Sequence, residues 1–454
     1  MRVALIHPHL FHHPAPSLPS GLAWLAAMLR ARGHRVRLLD LSFVWNRSRA
    51  IPRFLAEVEP DVIALGVPYL DNDCAYHALS FLPGTRWVAD ALRASCRAPI
   101  VAGGWGVTRA PLDTLRYLGL PLGFVGGDLG RSADWLEAVA NGSAETEIPG
   151  SVRWDGVAYR ATPAVPDPVR TAFYPAAGAH DLIAISRHEA HGGAAVIPVA
   201  FSQGAAPCRR EAAEIDHELG VLQATSRARR VLFAGLRVGA DPEADDGLLE
   251  RLAMRGPALG WEMDARPGAV TVERMAVAAR AGARALRLRL ENPDEQDLLL
   301  RAVERVLGTI PVLVELCLGG PTETIHSMAR TLRAVSVLSE RRVRLVLRPG
   351  SRLWSPAGDD AYERRSSGAG DSYVWPRFGF ARATAGSLRD RLRSASAARP
   401  GVSVDSDAYA PWQRLAHAAS RRSGVWPAWT LDRHVADVGK RLRGGLIERV
   451  PFRN

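Results

Sequence analysis

The fold is decided by the stretch SLPSGLAWLAAMLRARGH at residues 17–34, which leads directly into RVRLLD at residues 35–40. Its apolar positions recur at three-to-four spacing: Leu22, Leu25, Ala26 and Leu29. This spacing predicts a helix over residues 22–32 with one buried face. Gly33 is predicted to end the helix, because glycine accepts the left-handed conformation of a helix cap. The preceding run RVALI at residues 2–6 is typical of a buried parallel strand.

Residues 1–145 continue this alternation and are predicted to form one Rossmann-like domain. Further strands are predicted at residues 61–66, 99–102 and 123–125. A last helix is predicted over residues 132–141, with Ser132 as its N-cap. Five strands that alternate with helices predict an open, doubly wound α/β sheet. Ligands of such sheets bind beyond the carboxyl ends of the strands, where this sequence carries paired glycines and several histidines.

The rest of the chain divides into three further predicted segments. A proline-rich stretch at residues 146–190 is predicted to be a linker. Residues 191–355 repeat strand and helix patterns six times, which predicts a partial (β/α)6 barrel with its site at the carboxyl ends of the strands. Residues 356–454 are irregular and rich in tryptophan, and they are predicted to form a small C-terminal accessory domain over the barrel mouth.

Composition excludes several classes of function. The 454 residues are 47% hydrophobic and 23% charged, which is ordinary for a globular protein. No apolar run approaches the ~20 residues of a membrane span, and no secretory signal is recognised, so we expect a cytoplasmic protein without a membrane partner. Lys440 is the only lysine among 58 basic residues, which excludes a phosphate-binding P-loop. The arginines behind the net charge of +11 are dispersed, so no nucleic-acid partner is expected.

Several segments carry a family resemblance when they are taken in order. In the first half these are the stretch at residues 17–40, PDVIALG at 60–66, VAGGW at 101–105 and VGGDLG at 125–130. In the second half they are residues 229–234, 261–266, 282–292, 318–324 and 349–351. Together they resemble the cobalamin-dependent radical S-adenosylmethionine enzymes over about residues 1–355. The resemblance implies a cobalamin-binding domain followed by a partial barrel of the radical S-adenosylmethionine type.

The resemblance also implies which residues contact cobalamin. They stand at the predicted strand ends: Ser17, Leu18, Tyr69, Gly103, Gly104, Trp105, Gly126, Gly127 and Asp128. The Asp-x-His-x-x-Gly motif of another cobalamin class is absent, so a lower histidine ligand is not implied. His9 and His12 in the loop after the first strand are candidate metal ligands, because imidazole is a common ligand, although a solvated loop also explains them.

One departure from the family pattern concerns the iron–sulfur cluster. The family holds a 4Fe–4S cluster on Cys-x-x-x-Cys-x-x-Cys after the first barrel strand, since thiolates are the ligands of such clusters. Here the three positions are Ala205, Arg209 and Ala212, and Cys208 is one residue out of register. The other cysteines, Cys74, Cys96 and Cys317, lie far away and form no zinc or dithiol motif. We therefore predict that no 4Fe–4S cluster forms and that S-adenosylmethionine is not cleaved reductively.

Three functions remain open at this point. The first is an enzyme of natural-product biosynthesis that uses cobalt chemistry for methyl transfer or for rearrangement or cyclisation of a small molecule, with any reductant supplied from outside. The second is a non-catalytic relative that binds cobalamin or a partner enzyme. The third is a cobalamin-free methyltransferase that keeps S-adenosylmethionine as its methyl donor. Fold alone does not choose between them.

Candidate catalytic residues lie at the predicted carboxyl ends of barrel strands. They are Glu262, Arg289 and Glu291. Alternate residues of a barrel strand point inward, so Glu262 is expected to share a face with Asp264 and Arg266, and Arg289 with Arg287 and Glu291. Mixed carboxylates and guanidinium groups suit a polar substrate with acid–base steps, although a structural network of ion pairs explains them equally.

Overall fold

A computed structural model describes most of the first two-thirds of the chain. The described residues are 1–10, 17–70, 81–163, 177–190, 194–203, 206–226, 228–239, 241–256, 259–290 and 295–318, six positions within 330–338, and residues 343–349 and 402–404. His12 and Glu291 fall outside them, as does nearly all of the segment 356–454 that was predicted to form an accessory domain.

The first half of the chain folds around a seven-stranded sheet. Its strands are β1 (Arg2–His7), β2 (Arg35–Asp40), β3 (Val62–Gly66), β4 (Ile100–Gly103), β5 (Leu122–Phe124), β6 (Ser151–Trp154) and β7 (Tyr159–Ala161). Its helices are α1 (Ser20–Ala31), α2 (Arg47–Val58), α3 (Leu82–Ser95), α4 (Trp105–Arg109), α5 (Pro111–Leu118) and α6 (Leu129–Ala140). The order β2-β1-β3-β4-β5 is parallel throughout, and the direction of winding reverses between β1 and β3.

Alternating side chains of β1 show why the sheet is covered on both faces. Val3 and Leu5 are fully buried in the apolar cluster that also includes α1 and α6. Ala4 and Ile6 are fully buried in the cluster on the other face, against α2 and α3. Burial on both faces is what a continuous apolar run requires of a parallel strand. The predicted doubly wound sheet is therefore confirmed.

Two details of the first sheet differ from the prediction. Strands β6 and β7 form an antiparallel hairpin that extends the sheet beyond β5, inside the segment that was predicted as a linker. The carboxylate of Asp155 stabilises the turn by accepting hydrogen bonds from the backbone N–H groups of Val157 and Ala158. Helix α6 is capped by Asp128 rather than by Ser132, because the Asp128 side chain accepts from the backbone N–H of Arg131 at 2.9 Å.

The second half forms a seven-stranded parallel sheet and a separate two-stranded hairpin. After a short helix α7 (Ile185–Ala190), the strands are β8 (Ala195–Pro198), β9 (Ala200–Gln203), β10 (Ala206–Arg209), β11 (Arg230–Val238), β12 (Gly260–Ala265), β13 (Ala283–Leu290), β14 (Val312–Leu318), β15 (Arg344–Pro349) and β16 (Val402–Val404). The intervening helices are α8 (Ala212–Thr225), α9 (Pro242–Arg255), α10 (Val272–Arg280) and α11 (Gln296–Val306). The order β8-β11-β12-β13-β14-β15-β16 is that of a partial barrel, as predicted.

Strands β9 and β10 depart from the predicted first barrel strand. Strand β8 ends at Pro198, and the chain then turns into a separate two-stranded antiparallel hairpin, which the six predicted strand and helix units did not include. Strand β16 adds a seventh parallel strand from within the predicted accessory segment. The helices pack on one face of the second sheet, where residues such as Trp261 and Met263 of β12 are buried. Within the described part of the chain, no helix combines the length and apolarity that a membrane crossing requires.

The ends of β3 and β4 approach each other closely at Gly104. Gly104 has φ +100°, and a Cβ at this position would lie 2.9 Å from the carbonyl oxygen of Val67. The backbone N–H of Val67 donates to the carbonyl of Gly103 at 2.7 Å, and that of Gly106 donates to the carbonyl of Val67 at 2.9 Å. Glycine is therefore required both by the conformation and by the space.

Comparing G104A with G156A separates the requirement for a positive φ from the requirement for space. Gly156 has nearly the same φ, +98°, but a Cβ there would meet nothing within 4 Å. We expect G156A to lower the free energy of unfolding by about 1–3 kcal/mol through backbone strain alone. G104A is expected to cost about 1–3 kcal/mol more, because the Cβ also overpacks Val67. Equal losses in urea unfolding would contradict the close approach.

Candidate functional site

The carboxyl edge of the first sheet carries two exposed aromatic side chains. Tyr69 follows β3 and is 49% exposed, and Trp105 follows β4 and is 57% exposed. Gly103 ends β4, Gly104 follows it directly before Trp105, and Gly104 is itself exposed. Large aromatic side chains are usually buried, so two exposed rings beside a glycine-lined backbone indicate a surface prepared for a ligand.

The turn after β5 completes this edge. Gly126 has φ +103°, and its backbone N–H donates to the hydroxyl of Thr108 on α4 at 3.0 Å. Gly127 follows it at the same edge and is partly exposed. The structure thus brings together six of the residues predicted to contact a cofactor: Tyr69, Gly103, Gly104, Trp105, Gly126 and Gly127. They surround the carboxyl ends of β3, β4 and β5, close to the point where the winding reverses.

Three further residues predicted to contact cobalamin make contacts within the protein. The carbonyl oxygen of Ser17 accepts a hydrogen bond from Nε2 of His7 at 2.9 Å. Leu18 packs against the apolar core of the barrel half. Asp128 caps α6 and also pairs with Arg131 at 3.4 Å. Their contact with cobalamin stays a prediction.

The histidines near this edge are buried. His9 is 6% exposed, and its ring packs edge-on against Phe81 with the ring centres 5.1 Å apart. Its ring centre lies 6.2 Å from that of Tyr69. The described residues contain no group of three histidine, cysteine, aspartate or glutamate side chains arranged to hold a metal ion. The assignments of His9 and His12 as metal ligands therefore stay predictions.

A buried polar cluster joins the ends of β1 and β2 to helix α7. The Asp40 carboxylate accepts a hydrogen bond from Nε2 of His188 at 2.8 Å. Burial alone would raise the pKa of Asp40, but the hydrogen bond from His188, the nearby His7 and the backbone N–H of Ser42 together lower it to about 2. Burial lowers the pKa of His7 below 6.5, although Asp40 and the Ser17 carbonyl oppose that change.

These features fit a corrin better than they fit a metal ion bound by the protein. The edge offers a backbone free of side chains at four glycines and two exposed rings. A flat macrocycle needs close approach of backbone and apolar contact with aromatic rings, and both are present. The residues that would hold it are Tyr69, Gly103, Gly104, Trp105, Gly126 and Gly127.

The segment after β8 does not fit a 4Fe–4S cluster. Of the three family positions, Ala205 lies outside the described residues, Arg209 ends β10, and Ala212 begins α8. The Arg209 guanidinium lies 2.6 Å from the carboxylate of Asp245, which is fully buried and accepts from the backbone N–H of Gly239 at 2.7 Å. Guanidinium and methyl groups are not cluster ligands, and Cys208 supplies a single thiol to this segment.

The inner face of the second sheet carries charged side chains. Glu262 and Asp264 alternate with buried residues along β12, as predicted, and both are partly exposed. The predicted position of Glu262 at the carboxyl end of its strand is wrong, because it is the third residue of β12 and lies near Arg230, the first residue of β11. The guanidinium of Arg287 lies 3.6 Å from Glu262, 3.7 Å from Asp264 and 3.5 Å from Glu315. Arg230 forms a further ion pair with Glu262. Glu262 therefore lies between two guanidinium groups on a face that solvent reaches.

The other predicted barrel residues are less well placed. Arg289 lies on β13, and its backbone is in register with Glu315 of β14. Arg266 lies beyond the end of β12 and is exposed. Sequence reasoning missed Glu315, which is 2% exposed. Its signal was a single charge within the apolar run VLVELCL at residues 312–318.

Comparison with solved structures identifies the fold. The radical S-adenosylmethionine methyltransferase TsrM from Kitasatospora setae, with tryptophan substrate and an S-adenosylmethionine analogue bound, matches with a TM-score of 0.66 at 19% identity, over 76% of this chain and 72% of that one. A second TsrM structure, with cobalamin and a [4Fe-4S] cluster bound, gives 0.64 over 78% and 73% of the two chains at 19% identity. The cobalamin-dependent enzyme OxsB, with aqua-cobalamin and S-adenosylmethionine bound, gives 0.58 at 15% identity over 73% and 51%. The chain thus has the fold of the cobalamin-dependent radical S-adenosylmethionine enzymes, which confirms the resemblance.

Sequence comparison adds a particular relative. Tryptophan 2-C-methyltransferase from Streptomyces laurentii is 31% identical over 172 residues, which are 37% of this chain and 28% of that enzyme. The chain thus aligns with less than a third of the length of that relative. No family model matches the chain.

Burial of His7 makes the free energy of unfolding depend on pH. Because the pKa of His7 in the folded state lies below its unfolded value of 6.5, its contribution is complete above pH 6.5 and is lost as the pH falls toward the folded value. We expect the free energy of unfolding to decrease as the pH is lowered below 6.5, and H7Q to remove part of that slope. His217 is exposed on α8, so H217Q should keep the wild-type profile in urea unfolding between pH 7.5 and 5. An H7Q slope equal to that of wild type would contradict the assignment.

Proposed function

We propose that this protein is a cobalamin-dependent methyltransferase that uses S-adenosylmethionine as its methyl donor without a 4Fe–4S cluster. The observation that carries the proposal is the combination of a glycine-lined, aromatic edge on the first sheet with a barrel whose family cluster positions hold Arg209 and Ala212. When bound, the corrin supplies the chemistry of its cobalt centre, which accepts and donates methyl groups. The role of the protein is to hold the corrin and the substrate in position.

The electron balance of polar methylation supports a protein without a cluster. The methyl group leaves the sulfonium as a cation equivalent, and the carbon–sulfur bond breaks with its electron pair left on sulfur. The carbon that receives the methyl group then releases a proton. No electron is consumed in this sum, whereas reductive cleavage of S-adenosylmethionine requires an electron from the cluster.

The inner face of the barrel is the proposed substrate site. Glu262 is the proposed acceptor of the released proton, since its carboxylate is partly exposed and its ion pairs with Arg230 and Arg287 hold it in position. Arg289 and Glu291 are proposed to bind the substrate. The relative from Streptomyces laurentii is named for methylation of carbon 2 of tryptophan, which is a nucleophilic carbon. We therefore propose tryptophan, or another electron-rich aromatic amino acid, as the small-molecule substrate, in a step of natural-product biosynthesis.

Replacing Trp105 tests the corrin edge. We expect W105A to weaken hydroxocobalamin binding by about 3–10-fold, because loss of an aromatic contact costs about 0.5–1.5 kcal/mol. Trp154 is the matched control, since it is 42% exposed but lies at the end of β6, which runs antiparallel to β5 and so ends at the opposite edge of the sheet. Visible absorption titration measures both affinities. Equal affinities for wild type, W105A and W154A would contradict this placement of the corrin.

The products formed from S-adenosylmethionine test the type of chemistry. With hydroxocobalamin, a chemical reductant and tryptophan, we expect S-adenosylhomocysteine together with a product heavier by one methylene unit, and no 5′-deoxyadenosine. Because Glu262 is the proposed proton acceptor, E262Q should lower the rate by about 10²–10⁴-fold. Mass spectrometry of both nucleosides is the measurement. Release of 5′-deoxyadenosine would overturn the polar mechanism.

A further inference from the structure

The Glu218 carboxylate on α8 is fully buried and makes three hydrogen bonds. Nη1 of Arg210 donates to it at 2.6 Å, and Nε2 of His180 donates at 2.8 Å. The backbone N–H of Gly178 donates at 3.1 Å. Arg210 and His180 are themselves 7% and 3% exposed. A buried carboxylate is stable only when such donors surround it, so these four residues form one unit, which we call the Glu218 hub.

The hub joins segments from both halves of the chain. Arg210 directly follows the β9–β10 hairpin, and its guanidinium also donates to the carbonyl of Pro198 at the end of β8 at 3.0 Å. The same guanidinium lies over the ring of Trp24 on α1, 4.5 Å from the ring centre. Gly178 and His180 belong to the connector between the two sheets. The barrel, the connector and the first domain therefore meet at one carboxylate.

Neighbouring contacts hold the connector to the first domain. The backbone N–H of Ala179 donates to the carbonyl of Ala23 on α1 at 3.0 Å. Asp181 pairs with Arg30 of α1 at 2.9 Å, although both side chains are largely exposed. Further along, His188 donates to Asp40 at the end of β2. The connector is thus attached to the first domain at both of its described ends. It is attached to the barrel by the Glu218 hub and by Glu189 of α7, whose carboxylate accepts from the backbone N–H groups of Arg229 and Arg230 at 2.8 Å.

We propose that Glu218 and His180 are positioning residues, which hold the barrel and the corrin edge in the arrangement that methyl transfer requires. The expected effect on methyl transfer rests on the proposed function. The expected effect on the arrangement of the two halves rests only on the contacts described above. A buried ionic group adds little net stability over apolar packing, but its hydrogen-bond geometry admits few arrangements. The hub therefore sets the relative position of the two sheets more than it stabilises either of them.

Substitutions at His180 isolate the connector contact from the folding of the barrel. H180L fills a similar volume but removes the donor to Glu218, while the pair between Arg210 and Glu218 remains. H180Q restores an N–H donor close to the position of Nε2. E214Q is the matched control, because Glu214 also faces Arg210, at 3.7 Å, but is 52% exposed. E218Q removes the carboxylate charge of the hub, leaves the charge of Arg210 in place and serves as the strongest variant if it folds.

Distance measurement between spin labels reads out the arrangement of the two halves. Labels at R53C on α2 and M254C on α9 are suitable, because these side chains are 83% and 80% exposed, and the four native cysteines are replaced by serine. We expect a narrow distance distribution for the labelled parent, E214Q and H180Q, and a broadened one for H180L. An H180L distribution identical to that of E214Q would overturn the proposal.

Catalytic and binding measurements on unlabelled variants complete the test. H180L is expected to bind hydroxocobalamin with unchanged affinity but to release S-adenosylhomocysteine at least about tenfold more slowly, because a small displacement of the reacting groups is costly. H180Q should recover most of the rate. Unchanged turnover of H180L would overturn the positioning role. If the parent protein binds no corrin, the proposed function fails, and the spin-label result still decides whether the hub positions the two halves.

Discussion

A fully buried carboxylate, Glu218, constrains how the two halves of the chain meet. Its charge is matched by Arg210 from the barrel and by hydrogen bonds from His180 and Gly178 of the connector. Removing one partner of such a group leaves a buried charge uncompensated, at a cost of about 3–5 kcal/mol. The arrangement that satisfies Glu218 therefore also fixes the hairpin after β8 against Trp24 of the first domain.

The same local chemistry holds the end of the hairpin to the barrel helices. Arg209 and Arg210 are adjacent, and each reaches a fully buried carboxylate, Asp245 on α9 and Glu218 on α8. Two charge-assisted contacts from successive residues hold the end of the hairpin to two barrel helices. A loop that wraps a cluster needs three thiolates that converge on one point, whereas this segment directs its two charged groups to separate helices. The proposed polar chemistry is consistent with that construction.

Much of the architecture could be predicted from sequence because it depends on local pattern. The apolar run of β1 and the spacing of Leu22, Leu25 and Leu29 placed the first strand and helix correctly. The hairpin of β6 and β7 was not predicted, because the prolines of residues 146–190 indicated a linker. The pair Asp155-Gly156 is nevertheless a hairpin turn signal. Helix α6 begins at Leu129 with Asp128 as its cap, three residues before the predicted start at Ser132, because aspartate and serine both cap helices and the sequence does not decide between them.

The candidate site could be predicted only in part. Glycines and aromatics at strand ends are local signals, and Tyr69, Gly104 and Trp105 do lie at one edge. The pairs between Asp40 and His188 and between His180 and Glu218 join residues 148 and 38 positions apart, and no pattern in the sequence announces them. Long-range polar pairs depend on how whole elements pack.

The central claim is that the corrin site was kept while the cluster site was lost. Elemental analysis of the protein, after anaerobic incubation with iron, sulfide and hydroxocobalamin and removal of unbound metal, tests both halves of that claim in one sample. The account predicts about one cobalt per chain and much less than one iron. About four irons per chain, or no retained cobalt, would contradict it.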